Sequence, residues 1–246
     1  MKQKANNSDE CIAGQWDANA ETRFGELNSR SDYTYDNVLC PLLFKLIEKN
    51  ARGRVVLDVG CGLGFFSDYI NDRGFNVTGI DISSNCIALA QKNFPTVKFE
   101  KSNVIDFAAG NKEVFDACVA NMLFHNVPNL EGAATAISKV LKSKGVLVGC
   151  IPHPEFWFNN RKSASTPLSV FGETAYLAPF KIHGAASHPS PFTYFDRKEE
   201  HYWNALRTAG FAEIEALSIE KNSTVPRDLI FFVASKGRRQ NHVTDR

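Results

Sequence analysis

The 246 residues lack several features that would direct the chain to a particular environment. Its 28 basic and 27 acidic side chains nearly cancel, so no overall field attracts nucleic acid or an anionic membrane. No apolar run approaches the roughly 20 residues that span a bilayer. The polar start, MKQKANNSDE, has no apolar segment of the kind found in signal peptides. These absences predict a cytoplasmic protein without a nucleic-acid or membrane partner.

Paired metal-binding cysteines are missing as well. The six cysteines are scattered, with no C-x-x-C pair and no histidine at ligand spacing. This predicts reduced thiols and no metal site. The proportions of hydrophobic residues, 43%, and charged residues, 22%, are typical of a globular domain with a substantial core.

What the chain contains is a regular alternation of strands and helices. Apolar runs predict five strands, at residues 55–59, 76–80, 97–100, 115–120 and 145–151. Helical patterns lie among them, at 35–49, 65–73, 83–93 and 130–141, and a helix at 198–209 is followed by strands near 212–219 and 229–235. Such alternation is typical of a parallel sheet with helices on both faces.

The alternation stops at Pro152 and returns near Asp196. Residues 153–195 are rich in proline, glycine and serine without a clear period, yet they hold nine aromatic residues. A linker would be poor in aromatics, so this segment is predicted to be a folded lid insert. We therefore expect one domain over 1–236, with a helical cap at 1–50 and a polar tail at 237–246.

Three glycines follow the first strand, in the sequence VLDVGCGLGFF. Glycines at such a turn let a ligand approach the backbone closely. The dinucleotide fingerprint G-x-G-x-x-G would need a small residue where Phe65 stands, and the Asp58 carboxylate would repel a pyrophosphate. A ligand that carries an ammonium and a sulfonium would be attracted instead. The loop thus favours a cationic nucleoside without phosphate.

The segment Asp58-Val-Gly60-Cys-Gly62-Leu-Gly64 resembles the first motif of the class I S-adenosylmethionine-dependent methyltransferases. Three later segments of the chain resemble later motifs of that family, in the same order: VTGIDIS (77–83), FDACVANMLFHNVPN (115–129) and ISKVLKSKGVLVG (137–149). The resemblance covers about residues 14–152 and 196–235. It implies a Rossmann-like α/β fold, with seven mostly parallel strands, an antiparallel last strand, helices on both faces and a lid insert. It also implies S-adenosylmethionine as cofactor, S-adenosylhomocysteine as product, and no metal.

Three shorter segments resemble motifs of small-molecule methyltransferases of natural-product type: Trp16-Asp-Ala-Asn-Ala20, His153-Pro-Glu-Phe156 and Pro226-Arg-Asp-Leu229. They imply methyl transfer to nitrogen or oxygen of a small, planar or aromatic acceptor in specialised metabolism. An RNA, peptide or protein methyltransferase, and a protein that binds S-adenosylmethionine without activity, are the alternative interpretations. The oligomeric state is left open.

The resemblance also assigns the cofactor to particular residues: Tyr33, Asp58, Gly60, Cys61, Gly62, Asp81, Ile82, Asn103, Val104 and Asn121. Gly60 and Gly62 would line the methionine portion with bare backbone, and Asp58 would help to neutralise its ammonium. Asp81 would accept hydrogen bonds from both ribose hydroxyls, since a carboxylate has two acceptor oxygens.

The remaining assignments concern the two ends of the cofactor. Ile82 would pack on the adenine, and Asn103, where the family usually has Asp, would accept a hydrogen bond from the adenine amine. Asn121 would offer its backbone carbonyl to the ammonium. Tyr33 would contact the methionine end or, as an equal alternative, belong to the core of the N-terminal helix.

A general base is needed only if the acceptor arrives protonated. His153 is the predicted base because it follows the fifth strand, and a structural role within its turn is the alternative. His125 is interpreted as a packing or capping residue, with a role facing the acceptor left open. The acceptor pocket, or else a core of the insert, is predicted to be formed by Phe156, Trp157, Phe192 and Tyr194.

Overall fold

The computed structural model of the chain describes residues 8–156, 165–170, 173–179, 188–218 and 225–237. Seven strands form the main sheet: β1 (Val55–Val59), β2 (Asn76–Asp81), β3 (Lys98–Lys101), β4 (Phe115–Asn121), β5 (Leu141–Pro152), β9 (Phe211–Leu217) and β10 (Leu229–Lys236). Their order across the sheet is β3-β2-β1-β4-β5-β10-β9. Strands β1 to β5 are parallel, and β10 is antiparallel to both of its neighbours. The predicted seven-stranded, mostly parallel sheet is confirmed.

Helices cover both faces of this sheet. They are α1 (Ser8–Asn28), α2 (Cys40–Asn50), α3 (Phe65–Asn71), α4 (Ser84–Asn93), α5 (Val104–Gly110), α6 (Leu130–Val140) and α7 (Glu199–Thr208). A π-helical turn, Tyr35–Leu39, runs directly into α2, and a 3₁₀ turn, Phe124–Asn126, follows β4. Among these helices, none is both long and apolar enough to cross a membrane.

Alternate residues of the central strands enter two separate cores. In β1, Leu57 faces the core shared with α5, α6 and α7, whereas Val56 faces the core shared with α2, α3 and α4. In β4, Cys118 and Ala117 divide in the same way. This period of two, buried on both sides, explains why the strands read as continuous apolar runs in the sequence.

The segment between β5 and α7 contains a second sheet that the sequence pattern did not resolve. It consists of β6 (Thr166–Val170), β7 (Glu173–Ala178) and β8 (Phe192–Phe195), paired antiparallel in that order. We call it the small sheet. It places part of the aromatic-rich segment against the carboxyl ends of the main-sheet strands, since Ala178, Phe192 and Tyr194 line the cavity found there.

Helix α5 was also missing from the sequence prediction, although a local signal marks its start. Asn103 is the N-cap, and its Oδ1 accepts a hydrogen bond from the backbone N–H of Asp106 at 2.9 Å. Asn followed three residues later by an acidic residue is typical of a helix N-terminus. The helix is only seven residues long, so apolar periodicity alone could not reveal it.

Candidate functional site

A cavity of about 1030 Å³ opens at the carboxyl ends of β1 to β5. The sheet order runs outward from the β1–β4 pair, to β2 and β3 on one side and to β5 on the other. Ligands of open α/β sheets bind in the crevice that such a reversal of strand order creates. The other walls are one face of α1 and the ends of β7 and β8.

The glycine-rich loop after β1 forms the floor of this cavity. Gly60 and Gly62 have φ angles of +71° and +52°, which side chains rarely allow. A Cβ on Gly60 would lie 2.6 Å from Leu123 Cδ1, whereas one on Gly62 would meet no atom within 4 Å. Gly60 therefore allows close packing, and Gly62 leaves open space beside bare backbone. Buried Cys61 lines the cavity between them.

Asp81, at the end of β2, is fixed by the backbone around it. Its Oδ2 accepts from the N–H of Gly62 at 2.9 Å, and its Oδ1 accepts from the N–H of Ser83 at 2.8 Å. Burial raises the pKa of this carboxyl, and the two N–H groups oppose the rise. Each oxygen keeps a further acceptor site, so the side chain can receive a pair of hydroxyl groups from a ligand.

Asp58 is the second carboxyl on the floor of the cavity. It is 1% exposed and accepts a hydrogen bond from the Ser67 hydroxyl at 2.6 Å. Burial raises its pKa to about 7, the Ser67 hydrogen bond lowers it, and the nearby charge of Asp81 raises it further. A cationic group in the cavity would favour the ionised carboxylate.

The end of β4 offers a buried acceptor that the sequence did not indicate. Asn121 Oδ1 is buried and has no hydrogen-bond partner among the described residues, and Asn121 lines the cavity. Met122, the next residue, has a positive φ of 53° and donates its N–H to the carbonyl of Cys150 at 2.9 Å. An orphaned acceptor of this kind suits a donor supplied by a ligand.

Asn103 lines the cavity at the end of β3 beside Val104, and Ile82 lies at the end of the neighbouring β2. The Asn103 amide is already engaged. Besides capping α5 through Oδ1, its Nδ2 donates to Asp9 Oδ2 at 3.1 Å and to Asp106 Oδ2 at 2.9 Å. The oxygen predicted to accept from an adenine amine thus already caps a helix and keeps one further acceptor site.

Helix α1, which lies within the segment expected to form a helical cap, forms a wall of the cavity. One face of the helix supplies the lining residues Asp9, Ile12, Trp16, Ala20, Arg23 and Leu27. Asp17 fixes the helix to the start of α4: its Oδ1 accepts from the Ser83 hydroxyl at 2.5 Å and from the N–H of Asn85 at 2.8 Å. The Trp-Asp pattern noted in the sequence therefore has one residue in the cavity and one at a helix junction.

Tyr33 does not line the cavity. It is 74% exposed, so it belongs neither to the cavity nor to a core. The tyrosine of this segment that lines the cavity is Tyr35, whose N–H donates to Asp32 Oδ1 at 3.0 Å and whose ring lies 5.7 Å from the Arg23 guanidinium carbon. Arg23 also pairs with Asp32 at 2.6 Å.

The two histidines considered as bases lie in different places. His153 is not among the residues that line the cavity, although its neighbours Pro152 and Asp228 are. Its backbone N–H donates to the carbonyl of Asp228 at 2.8 Å, and its Nδ1 is buried without a hydrogen-bond partner among the described residues. His125 lines the cavity and is 8% exposed. Burial, with the charge of Arg197 adding to it, lowers the pKa of His125 to about 3. The ring is therefore neutral at physiological pH.

Aromatic side chains surround the part of the cavity near His125. The Tyr194 ring centre lies 5.2 Å from that of His125, and the Phe192 ring centre lies 4.3 Å from that of Trp16. Phe156, 37% exposed, also lines the cavity, whereas Trp157 lies outside the described residues. Tyr194 also packs with Tyr176 in a core of the small sheet, so it both lines the cavity and belongs to a core of the insert.

A buried arginine connects the small sheet to this region. Arg197 is 2% exposed, and its Nε and Nη2 donate to the Glu173 carboxylate at 2.7 and 3.0 Å. The same guanidinium donates to the carbonyls of Phe124, Val127 and Pro128 at 3.2, 2.7 and 3.0 Å. Arg197 therefore holds the loop after β4, which carries His125, against β7. A sequence pattern gives no sign of a contact this distant along the chain.

None of the six cysteines is disulfide-bonded, and all except Cys11 are buried. Within the described ranges, no group of three or more His, Cys, Asp or Glu side chains is placed to hold a metal ion.

Comparison with known proteins identifies relatives in sequence and in structure. A family model described as a methyltransferase domain matches residues 31–212. The ubiquinone biosynthesis O-methyltransferase of Dechloromonas aromatica is 32% identical over 134 residues, 50% of this chain and 58% of that protein. The one of Psychrobacter arcticus is 31% identical over 150 residues, 56% of this chain and 58% of that protein. The chain thus spans little more than half the length of these curated relatives.

Solved structures of similar fold cover most of the chain. The Burkholderia thailandensis 1,6-didemethyltoxoflavin-N1-methyltransferase, solved with 1,6-didemethyltoxoflavin and S-adenosylhomocysteine, has a TM-score of 0.59 and 18% identity, over 96% of this chain and 93% of that one. Streptomyces venezuelae DesVI has a TM-score of 0.64 and 18% identity, over 89% and 98%. At this level of identity the likeness is one of fold.

Proposed function

The chain belongs to the methyltransferase-domain family, and from this premise we propose that it transfers the methyl group of S-adenosylmethionine to a small planar acceptor. One observation carries the proposal: the same cavity is lined by two carboxylates with an open glycine backbone and by several aromatic rings with a neutral histidine. The first set suits a cationic nucleoside, and the second suits a flat acceptor.

The residues present fit S-adenosylmethionine. Asp81 would receive the ribose hydroxyls, and the open space at Gly62 would admit the methionine portion against bare backbone. Asp58 and the orphaned Asn121 Oδ1 would face its ammonium. When bound, the cofactor would supply a methyl group that its positively charged sulfur makes electrophilic.

For the acceptor we propose a hydroxyl group on a flat ring. The curated relatives are named O-methyltransferases, and the rings of Trp16, Phe192 and Tyr194 offer walls for stacking. A ring nitrogen is the second candidate, because the Burkholderia neighbour that covers 96% of this chain is named an N1-methyltransferase. A role in specialised metabolism, a cytoplasmic location and the lack of nucleic-acid or membrane partners stay predictions.

In this proposal the chain's own residues position the acceptor and keep water away from it. The aromatic walls would hold the acceptor ring and exclude water from the reacting atoms. The neutral ring of His125 lines the cavity and would orient the acceptor oxygen through a hydrogen bond. Because a pKa of about 3 makes this ring too weak a base to take the hydroxyl proton, the acceptor would lose that proton to solvent before binding, and the oxyanion would attack the methyl carbon.

Binding and transfer test this function separately. Isothermal titration with S-adenosylmethionine and S-adenosylhomocysteine should give a saturable site. Label from methyl-labelled cofactor should then appear on hydroxylated aromatic rings, with nitrogen heterocycles, RNA and protein as the other substrates offered. Absence of binding would contradict the proposal. Binding without transfer to any substrate would favour a binding protein, and labelled RNA or protein would reject the small-molecule acceptor.

A further inference from the structure

One acidic side chain enters the cavity from outside the main sheet, at the corner where β3 ends. Asp9 lies in the first turn of α1 and lines the cavity. Its Oδ2 accepts from Asn103 Nδ2 at 3.1 Å. Ile12, one turn further along α1, belongs to an apolar cluster against which Ile82 packs. The corner therefore combines apolar walls with a carboxylate.

Both amide hydrogens of Asn103 are engaged in this corner, since its Nδ2 donates to the carboxylates of Asp9 and Asp106. Its Oδ1 caps helix α5 and keeps one neutral acceptor site. Asp9 Oδ1 makes no hydrogen bond within the part of the chain that the structure describes. Asp9 is therefore the charged and less engaged acceptor for a ligand here, and an ionised carboxylate cannot donate a hydrogen bond.

The strand order indicates which part of the ligand reaches Asp9. The ribose-binding carboxylate proposed above ends β2, and β3 is the next strand outward. The base attached to the ribose would therefore extend toward the end of β3. Adenine carries an exocyclic amine, a hydrogen-bond donor, at the position where hypoxanthine carries a carbonyl oxygen.

We propose that Asp9 recognises the purine base by accepting a hydrogen bond from the adenine amine, an inference that rests on the cofactor proposed above. The same carboxylate would disfavour a carbonyl at that position of the base. Asn103 acts as a positioning residue that orients the Asp9 carboxylate. Burial raises the pKa of Asp9, and the Asn103 hydrogen bond opposes that rise, so this contact helps to keep the acceptor ionised. Helix α1 is then part of the cofactor site.

The test compares S-adenosylhomocysteine with S-inosylhomocysteine, in which a carbonyl replaces the amine, by isothermal titration of the full chain. The unmodified protein should prefer the adenosine compound by about 10-fold or more, the usual effect of a hydrogen bond to a charged group. In Asp9→Asn, whose amide can donate to the carbonyl, the ratio of the two dissociation constants should fall by about 10-fold. Asp9→Ala should weaken binding of the adenosine compound without strengthening binding of the inosine compound.

Asp106→Asn is the matched control, because Asp106 shares the Asn103 amide but does not line the cavity. It should change the preference far less than Asp9→Asn does, because Asp106 touches the ligand site only through Asn103. An unchanged preference in Asp9→Asn, or an equal loss in Asp106→Asn, would overturn the role of Asp9. Failure of the unmodified protein to bind either compound would instead reject the proposed function.

Discussion

The main sheet and the small sheet hold their parts of the cavity by different means. In the main sheet, backbone groups fix the ligand-facing atoms: Gly62 and Ser83 bind the Asp81 carboxylate. The small sheet is attached by side chains, through Arg197 to Glu173 and to the carbonyls after β4. The proposed cofactor side is therefore built locally at the ends of strands, whereas the proposed acceptor side depends on a few contacts between residues distant in the sequence.

The largest expected effect comes from removing the attachment of the small sheet. Arg197→Met leaves Glu173 and three buried carbonyls without their donor, so the free energy of unfolding in urea should fall by about 3 kcal/mol. Arg207→Met is the matched control: Arg207 pairs with Glu200 in solvent, and its loss should cost about 0.5 kcal/mol. Equal stabilities of the two variants would contradict the difference between the two attachments.

The next effect concerns the histidine on the acceptor side. His125→Asn should lower kcat by about 10-fold, the usual effect of one lost hydrogen bond, and leave S-adenosylmethionine affinity intact, whereas His153→Asn should remain within a few-fold. Because the pKa of His125 is lowered to about 3, the ring stays neutral as the pH falls to about 5. The value of kcat at saturating cofactor should therefore not decline near pH 6.5, where an ordinary histidine becomes charged. A decline there that His125→Asn removes would show that this ring titrates normally.

On the cofactor side, Asp81→Ala should weaken S-adenosylmethionine binding by about 10-fold or more, since a hydrogen bond to a charged group contributes roughly 1.5–3 kcal/mol. Asp116→Ala is the control within the same sheet. Asp116 begins β4, binds the N–H of Val55 and Lys142, and lies away from the cavity lining. Titration should find cofactor affinity retained in this control, and equal losses in both variants would remove the proposed role of Asp81.

The smallest effect is a dependence on pH. The pKa of Asp58 is raised to about 7, so the free protein carries a neutral carboxyl below that pH. A cationic ligand favours the ionised form, and binding below pH 7 must therefore release a proton. Affinity for S-adenosylmethionine should fall by up to about 10-fold per pH unit below 7 and level off above it. Asp58→Asn should abolish this slope, and a slope that survives the substitution would assign it to another group.

The main sheet could be predicted from the sequence, whereas the small sheet could not. Strand periodicity and the glycine-rich loop place Asp58 and Asp81 at the cavity because both are set by neighbouring residues. The small sheet was not predicted, since β6 contains Pro167, which is unusual within a strand, and residues 179–191 separate β7 from β8. A helical cap was expected over 1–50, but the face of α1 that lines the cavity was not identified, because its other faces contact α4 and β8 and leave no simple apolar stripe.

The choice between the histidines shows the same limit. His153 follows a strand at the correct edge of the sheet, but it does not line the cavity; its backbone pairs with Asp228 just before β10, which arrives from a distant part of the chain. His125 reaches the cavity because Arg197 holds the loop that carries it. Asn103 could have been recognised as a helix cap from Asp106 alone. Contacts within a turn are readable from sequence, and those that join separate elements are not.

Hydrogen exchange, with and without saturating S-adenosylhomocysteine, tests the division between the two sheets most directly. With the ligand bound, we expect slower exchange of the amides at residues 60–64 and 81–86, which surround the proposed cofactor. Exchange in β6 and in β7 should remain unchanged, because the small sheet contributes to the acceptor side. Protection concentrated in β6 and β7, with the glycine-rich loop unaffected, would contradict the assignment of the cofactor to the main sheet.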